Sequence, residues 1–202
     1  MDERARAEEV ARAAECLLAG GVVLLPTDTV YGLAVHPERD EAITRLFAMK
    51  GRPRSVNLPV MISSRYDILA LGGVVSRAAD LLLASKYVPG PLTLAVGVSP
   101  PDLALWLRGR VEFAVRMPDD DRLLAIIKQT GPLLVTSANL HAEQVRESVS
   151  AILATLASEP DLVIDDGNRD TVPSTLVNCR LVPPVVERVG AVPAEEIEAI
   201  LG

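Results

Sequence analysis

Three polar clusters in this chain stand directly beside apolar runs. The first is PTDTVYG (26–32), which follows VVLL; the second is KGRPRSVN (50–57); the third is TSAN (136–139), at the end of PLLVTS. Lys50 and Arg52 followed by hydroxyl and amide side chains suit an oxyanion, a carboxylate or a phosphate, held by forked donors and hydrogen bonds. Each cluster has a plainer reading. Basic residues at 50–54 also complement the dipole of a solvated helix C-terminus, and TSAN also reads as a polar turn capping the next helix. Arg116 closes the otherwise apolar run EFAVRMP, and an arginine there needs a partner. Ser174 and Thr175 in VPSTLV and Arg188 in VERVG add polar groups near the C-terminus. Strand-to-loop junctions in α/β proteins are where ligands are held, so PTDTVYG is either a polar turn or one wall of a site.

Familiar catalytic devices are missing. The sequence has no G-x-x-x-x-G-K-[ST], no G-x-G-x-x-G after a strand, no H-E-x-x-H and no Ser-His-Asp hydrolase signature. His36 and His141 stand alone and read as surface loop residues. Cys16 and Cys179 lack Cys or His companions, which points to free thiols and away from a zinc site or disulfide framework.

The elements that must position these clusters follow from periodicity. Apolar spacing predicts helices over 3–19, 38–53, 76–86, 119–130, 145–157 and 194–201, the first stopped by Gly20-Gly21. Apolar runs predict strands over 22–25, 58–63, 92–98, 111–117, 132–137, 161–165 and 174–179. Helices and strands interleave without strict alternation, so an α/β fold with a mixed sheet is expected. At 202 residues and 49% hydrophobic content, one domain spanning 1–202 is expected. A formal charge of −7 argues against a surface that grips nucleic acid throughout, so any polyanion must be met locally. The charged start MDERARAEEV has no apolar signal core, and no apolar run spans a bilayer, so a cytoplasmic protein is expected.

VVLLPTDTVYGLAV, FAMKGRP, PGPLTLAV, VEFAVRMP, LLVTSAN, PSTLVN and VERVGAV occur in the order found in the YrdC/Sua5 family, which the chain resembles over nearly its whole length. The resemblance implies a YrdC-like fold: an open, twisted mixed sheet with flanking helices around a concave electropositive cavity. It also implies a threonylcarbamoyl-AMP synthase, which joins L-threonine, bicarbonate or CO2 and ATP, with Mg2+, and releases pyrophosphate. The product would pass to the tRNA threonylcarbamoyltransferase complex for N6-threonylcarbamoyladenosine formation, with weak tRNA contact allowed.

By matching motif, Thr29, Arg116, Ser137 and Ser174 would line the threonine pocket. Lys50, Arg52, Asn57, Asn139, Ser148 and Arg188 would face ATP, with Lys50 and Arg52 the catalytic pair. Both lie beyond a predicted helix end, so alanine at either should abolish turnover and leave the fold intact, while Thr27 and Asp28 would only shape their turn. The chain departs from many relatives in SANLHAEQ, where His141 and Ala142 replace Ser-Gly, and in NLPVMIS, where Ile62 stands about where some have a threonine-contacting histidine. The competing readings are a non-catalytic YrdC-like paralogue that binds a nucleotide or RNA, and transfer of a carbamoyl adenylate to another acceptor. Lys50/Arg52 and Ser137/Asn139 speak against the first, and the lack of an added acceptor domain against the second.

Overall fold

A computed structural model describes residues 3–54, 56–100, 103–141 and 143–202. Its centre is a mixed sheet containing ten strands among the described residues. In chain order these are β1 (Val23–Leu25), β2 (Gly32–Val35), β3 (Val60–Met61), β4 (Gly73–Val74), β5 (Leu92–Val98), β6 (Glu112–Arg116), β7 (Leu133–Ser137), β8 (Leu162–Val163), β9 (Thr175–Asn178) and β10 (Val185–Arg188). They lie side by side as β10-β9-β5-β6-β3-β7-β2-β1-β8, with β4 also on β5, and the two ends do not pair. Three neighbours are parallel (β1/β8, β3/β6 and β5/β9), so the mixed sheet expected from the sequence is what forms.

Two faces of this sheet are treated differently. One is covered along its length by α2 (Asp40–Met49), α3 (Arg65–Ala70), α4 (Arg77–Leu83), α6 (Val149–Leu153) and α7 (Ala194–Leu201). Their Leu46, Phe47, Ile68, Leu82, Ile152 and Ile197 pack with Val60, Leu94, Val96, Phe113, Val115 and Leu134 in the larger core. On the other face, α1 (Glu3–Leu18) and α5 (Asp121–Thr130) cover only the β1-β2-β7 side. There Val10, Ala13, Leu17, Leu123, Ile126 and Ile127 meet Val23, Leu25, Ala34, Leu133 and Val135. The same face over β6, β5, β9 and β10 carries no helix among the described residues and becomes the floor of a cavity. Side-chain alternation follows: Phe113 and Val115 point into the larger core, while Glu112, Ala114 and Arg116 point into the cavity.

Several elements differ from expectation, each for a local reason. The predicted helix 145–157 is confined to 149–153, because Ser148 accepts the Ala151 N–H at 3.3 Å and caps it there. PTDTVYG closes a tight β1/β2 hairpin in which Leu25 faces Gly32, so its exit is itself a strand. Helix α3, begun by a Ser64/Asp67 capping box, and strands β4 and β10 are too short for periodicity to reveal.

Candidate functional site

The cavity has a volume of about 420 Å3 and is open at one side. Its floor is built from small residues on the paired strands β5 and β6, Ala95 opposite Ala114, which leave room for a ligand where larger side chains would fill the concavity. Around that floor stand Thr29, Arg52, Asn57, Thr93, Arg116, Thr136, Ser137, Ser174 and Arg188, with Glu112 and Glu187 at one end.

Arg116 is fixed on every side. Its Nη2 donates to Asp28 Oδ1 at 2.7 Å, its Nη1 to Thr29 Oγ1 at 2.9 Å and its Nε to the Gly90 carbonyl at 2.9 Å. The ion-paired side chains are only 4% and 10% exposed. Asp28 is thus the partner that the sequence position of Arg116 demanded, and the expectation that it only shapes a turn is corrected. Thr27 does shape the turn: its hydroxyl donates to the Val30 carbonyl at 2.7 Å and accepts the Thr29 N–H at 3.1 Å. Four residues on, the buried Tyr31 hydroxyl donates to the Gly167 carbonyl at 2.6 Å and accepts the Asp166 N–H at 3.0 Å, anchoring the segment that leads to Ser174.

Ser174 is buried, with its hydroxyl 2.7 Å from Thr93 Oγ1. Arg188 crosses from the edge strand to donate to the Ser174 carbonyl at 2.9 and 3.1 Å and to its hydroxyl at 3.2 Å. A register shift between Val186 and Arg188 brings both Glu187 and Arg188 to the cavity, which strict alternation would forbid. Gly190 makes this possible. A Cβ there would lie 2.2 Å from the Pro173 carbonyl oxygen and 2.6 Å from the Ser174 backbone, so only glycine permits the approach.

Arg52 donates to the Asn57 carbonyl at 3.0 Å and reaches Thr136 Oγ1 at 3.4 Å, and its Nε is buried without a partner. Burial, and next the Arg188 charge, lowers the Arg52 pKa; burial, and next the Arg116 charge, lowers that of Arg188. Among the described residues no carboxylate pairs with Arg52 or Arg188, so two partly desolvated guanidinium groups face one cavity with their charge unanswered. Such an arrangement recruits an anion with several oxygens.

Of the ten residues singled out by sequence, seven line the cavity: Thr29, Arg52, Asn57, Arg116, Ser137, Ser174 and Arg188. Three do not. Lys50 is the C-cap of α2 and only 2% exposed, and its ammonium donates to the Ser137 and Asn139 carbonyls. It joins the end of α2 to the end of β7, so the expectation that it lies outside the core, replaceable without harm to the fold, is corrected. Burial, and next the Arg52 charge, pulls its pKa from 10.5 down to about 7. Asn139 turns its amide into the following turn, donating to the Leu140 and Glu143 carbonyls at 2.9 and 2.7 Å while its Oδ1 accepts from Ser137 Oγ at 2.5 Å. Ser148 caps α6 beside a separate open concavity formed by 143–148.

Ile62 points into the larger core, so its neighbour Met61 faces the cavity instead. His36 and His141 lie away from it, and Ala142 falls outside the described residues. Sequence reasoning missed Asp28, Thr93 and the two glutamates. Glu112 had a signal, the i, i+2, i+4 spacing of Glu112, Ala114 and Arg116 on one strand. Both glutamates are engaged by Asn178, whose Nδ2 donates to Glu112 at 3.2 Å and to Glu187 at 2.8 Å.

Residues 15–190 match the Sua5/YciO/YrdC family model, described as telomere recombination. The chain is 32% identical over 202 residues to the threonylcarbamoyl-AMP synthase of Pyrococcus abyssi, covering 99% of this chain and 59% of that protein. It is 32% identical over 197 residues to the Bacillus subtilis enzyme of the same name, covering 96% of this chain and 57% of that one. It therefore spans under two thirds of the length of these relatives. The crystal structure of P. abyssi Sua5 complexed with L-threonine superposes with a TM-score of 0.85 at 31% identity, over 96% of this chain and 57% of that one.

Proposed function

The chain belongs to the Sua5/YciO/YrdC family, and from that premise we propose that it is a threonylcarbamoyl-AMP synthase, a nucleotidyltransferase acting on L-threonine, bicarbonate or CO2, and ATP. Two relatives carry that name, and a structure of this fold was solved with L-threonine. The observation that carries the reading is the pair Arg52 and Arg188, cations without a carboxylate partner that face one cavity beside Arg116, which Asp28 pairs.

In this reading the amino group of threonine adds to CO2, giving a carbamate and releasing a proton. A carbamate oxygen then attacks the α-phosphorus of ATP, forming the new P–O bond as the bond to pyrophosphate breaks. Thr29, Arg116, Ser137 and Ser174 hold the amino acid, and the unspent N–H groups of Arg116 meet its carboxylate. Arg52 and Arg188 take the phosphates, with Asn57 beside them. Neutralising charge and aligning the reactants are the demands of phosphoryl-type chemistry, so no histidine or triad is required. Lys50 and Asn139 act from behind, by fixing the backbone on which Ser137 sits.

Among the described residues no group of three or more His, Cys, Asp or Glu side chains could cage a metal, and the two cavity glutamates are already engaged. That donor set fits an ion carried mainly by phosphate oxygens and water, as Mg2+ usually is. Mg2+ bound with ATP would neutralise phosphate charge. The product is proposed to pass to the tRNA threonylcarbamoyltransferase complex in the cytoplasm; no helix among the described residues is long and apolar enough to cross a membrane.

Pyrophosphate measured from the purified chain with ATP, Mg2+ and bicarbonate tests the proposal. Release that depends on L-threonine is expected. A chain that binds ATP but releases no pyrophosphate with threonine present is instead the non-catalytic paralogue.

A further inference from the structure

A second cavity, of about 190 Å3, lies behind the wall of the first. It is bounded by α2, by Arg54, Val56, Asn57 and Leu58 and by the turn that carries Trp106 and Arg110. Val56 and Asn57 line both cavities, so one thin segment separates them, and the Asn57 carbonyl is the group that Arg52 holds from the other side.

Arg110 is the unusual member. Its Nη1 is buried with no hydrogen-bond partner, and burial lowers its pKa. A desolvated guanidinium nitrogen without an acceptor is costly, and the side chain that carries it lines the cavity. Arg54 lines the same cavity, and Asp40 is its one carboxylate. Among the described residues Asp40 is ion-paired to neither arginine, which leaves a net positive lining. The volume is below the ~300 Å3 at which sites for drug-sized ligands begin, so the occupant is small.

We propose that this cavity is an oxyanion subsite, formed by Arg110 and Arg54, that takes pyrophosphate on the far side of the Asn57 wall. The oxyanion class follows from the lining; pyrophosphate as its source rests on the synthase reading, since that reaction frees it next door. Inorganic phosphate is the other source of the same chemistry.

Equilibrium dialysis of the full chain against labelled pyrophosphate, and in parallel against labelled inorganic phosphate, tests this at constant ionic strength with and without a saturating non-hydrolysable ATP analogue. One equivalent of pyrophosphate should survive the analogue. Arg110→Met should weaken that equivalent about tenfold or more, the worth of a charge-assisted hydrogen bond. Affinity for the analogue should be unchanged, and Arg110→Lys should retain part of the pyrophosphate binding. Complete displacement by the analogue, or an Arg110→Met variant of native circular dichroism that keeps the second equivalent, overturns the subsite. Tighter binding of phosphate than pyrophosphate there overturns the assigned source. Failure of the synthase reading shows differently, as absent threonine-dependent release with the second equivalent intact.

Discussion

Asp28→Asn is the perturbation that separates what holds the site from what the site holds. Asp28 and Arg116 form a 2.7 Å ion pair whose side chains are 10% and 4% exposed. Removing one partner of such a pair leaves a desolvated charge, at a cost of about 3–5 kcal/mol. Asparagine keeps an oxygen that can accept from Nη2, and the Gly90 carbonyl and Thr29 hydroxyl remain as neutral acceptors, so the lower end, about 3 kcal/mol, is expected. In a chain of this size that corresponds to a fall in Tm of roughly 6–12 °C. Because Arg116 would also lose its orientation, the KM for threonine should rise in pyrophosphate release while affinity for ATP, held at Arg52 and Arg188, changes little. Calorimetry and threonine titrations at saturating ATP read the two effects. A paired Asp28→Leu/Arg116→Met variant should recover stability but not threonine binding, since replacing a whole buried pair with apolar groups is often neutral. An Asp28→Asn protein that melts with wild type and keeps its threonine KM would refute the reasoning.

Arg52→Ala should reduce pyrophosphate release by about 10²–10³, as loss of a charge-stabilising donor does, with an unchanged melting temperature; full activity would remove Arg52 from the site. For Lys50 the expected effect is on the fold and depends on pH. Its pKa is about 7 when folded against 10.5 ordinarily, so between those values the unfolded chain holds a proton that the folded chain has shed. Stability measured by urea titration should therefore climb from pH 7 towards pH 10, and Lys50→Met should be less stable and lack that component of the slope. Gly190→Ala forces a Cβ to within 2.2 Å of the Pro173 carbonyl, so a loss of about 1–3 kcal/mol and a raised KM for both substrates are expected in unfolding and steady-state assays.

Long, strongly patterned segments were readable before the fold was known. Helices α1, α5 and α7 and strands β5, β6 and β7 bury continuous apolar faces, and their positions agree with expectation to within a residue or two. The expected strands 58–63 and 161–165 are there but shrink to the two-residue β3 and β8, while β4, also of two residues, carries no period of its own and is defined by its neighbour. Within the site, Arg116 was legible as an arginine in need of a partner, but nothing local named Asp28, which is 88 residues away. Lys50 shows the reverse failure. A lysine after a helix reads as solvated, and only the register that brings the Ser137 and Asn139 carbonyls to the end of α2 turns it into a buried tie. The cavity follows from a coverage pattern, two helices over part of one sheet face, that no motif encodes.

The most direct test of the central claim follows the carbon. Incubating the chain with [13C]bicarbonate, L-threonine, ATP and Mg2+ should yield an adenylate, detected by mass spectrometry, that carries one 13C and the mass of threonine. Arg52→Ala and Arg188→Ala should lower its yield about a hundredfold or more in folded protein. An adenylate without threonine or without the label, or none from a chain that binds both substrates, would contradict the account.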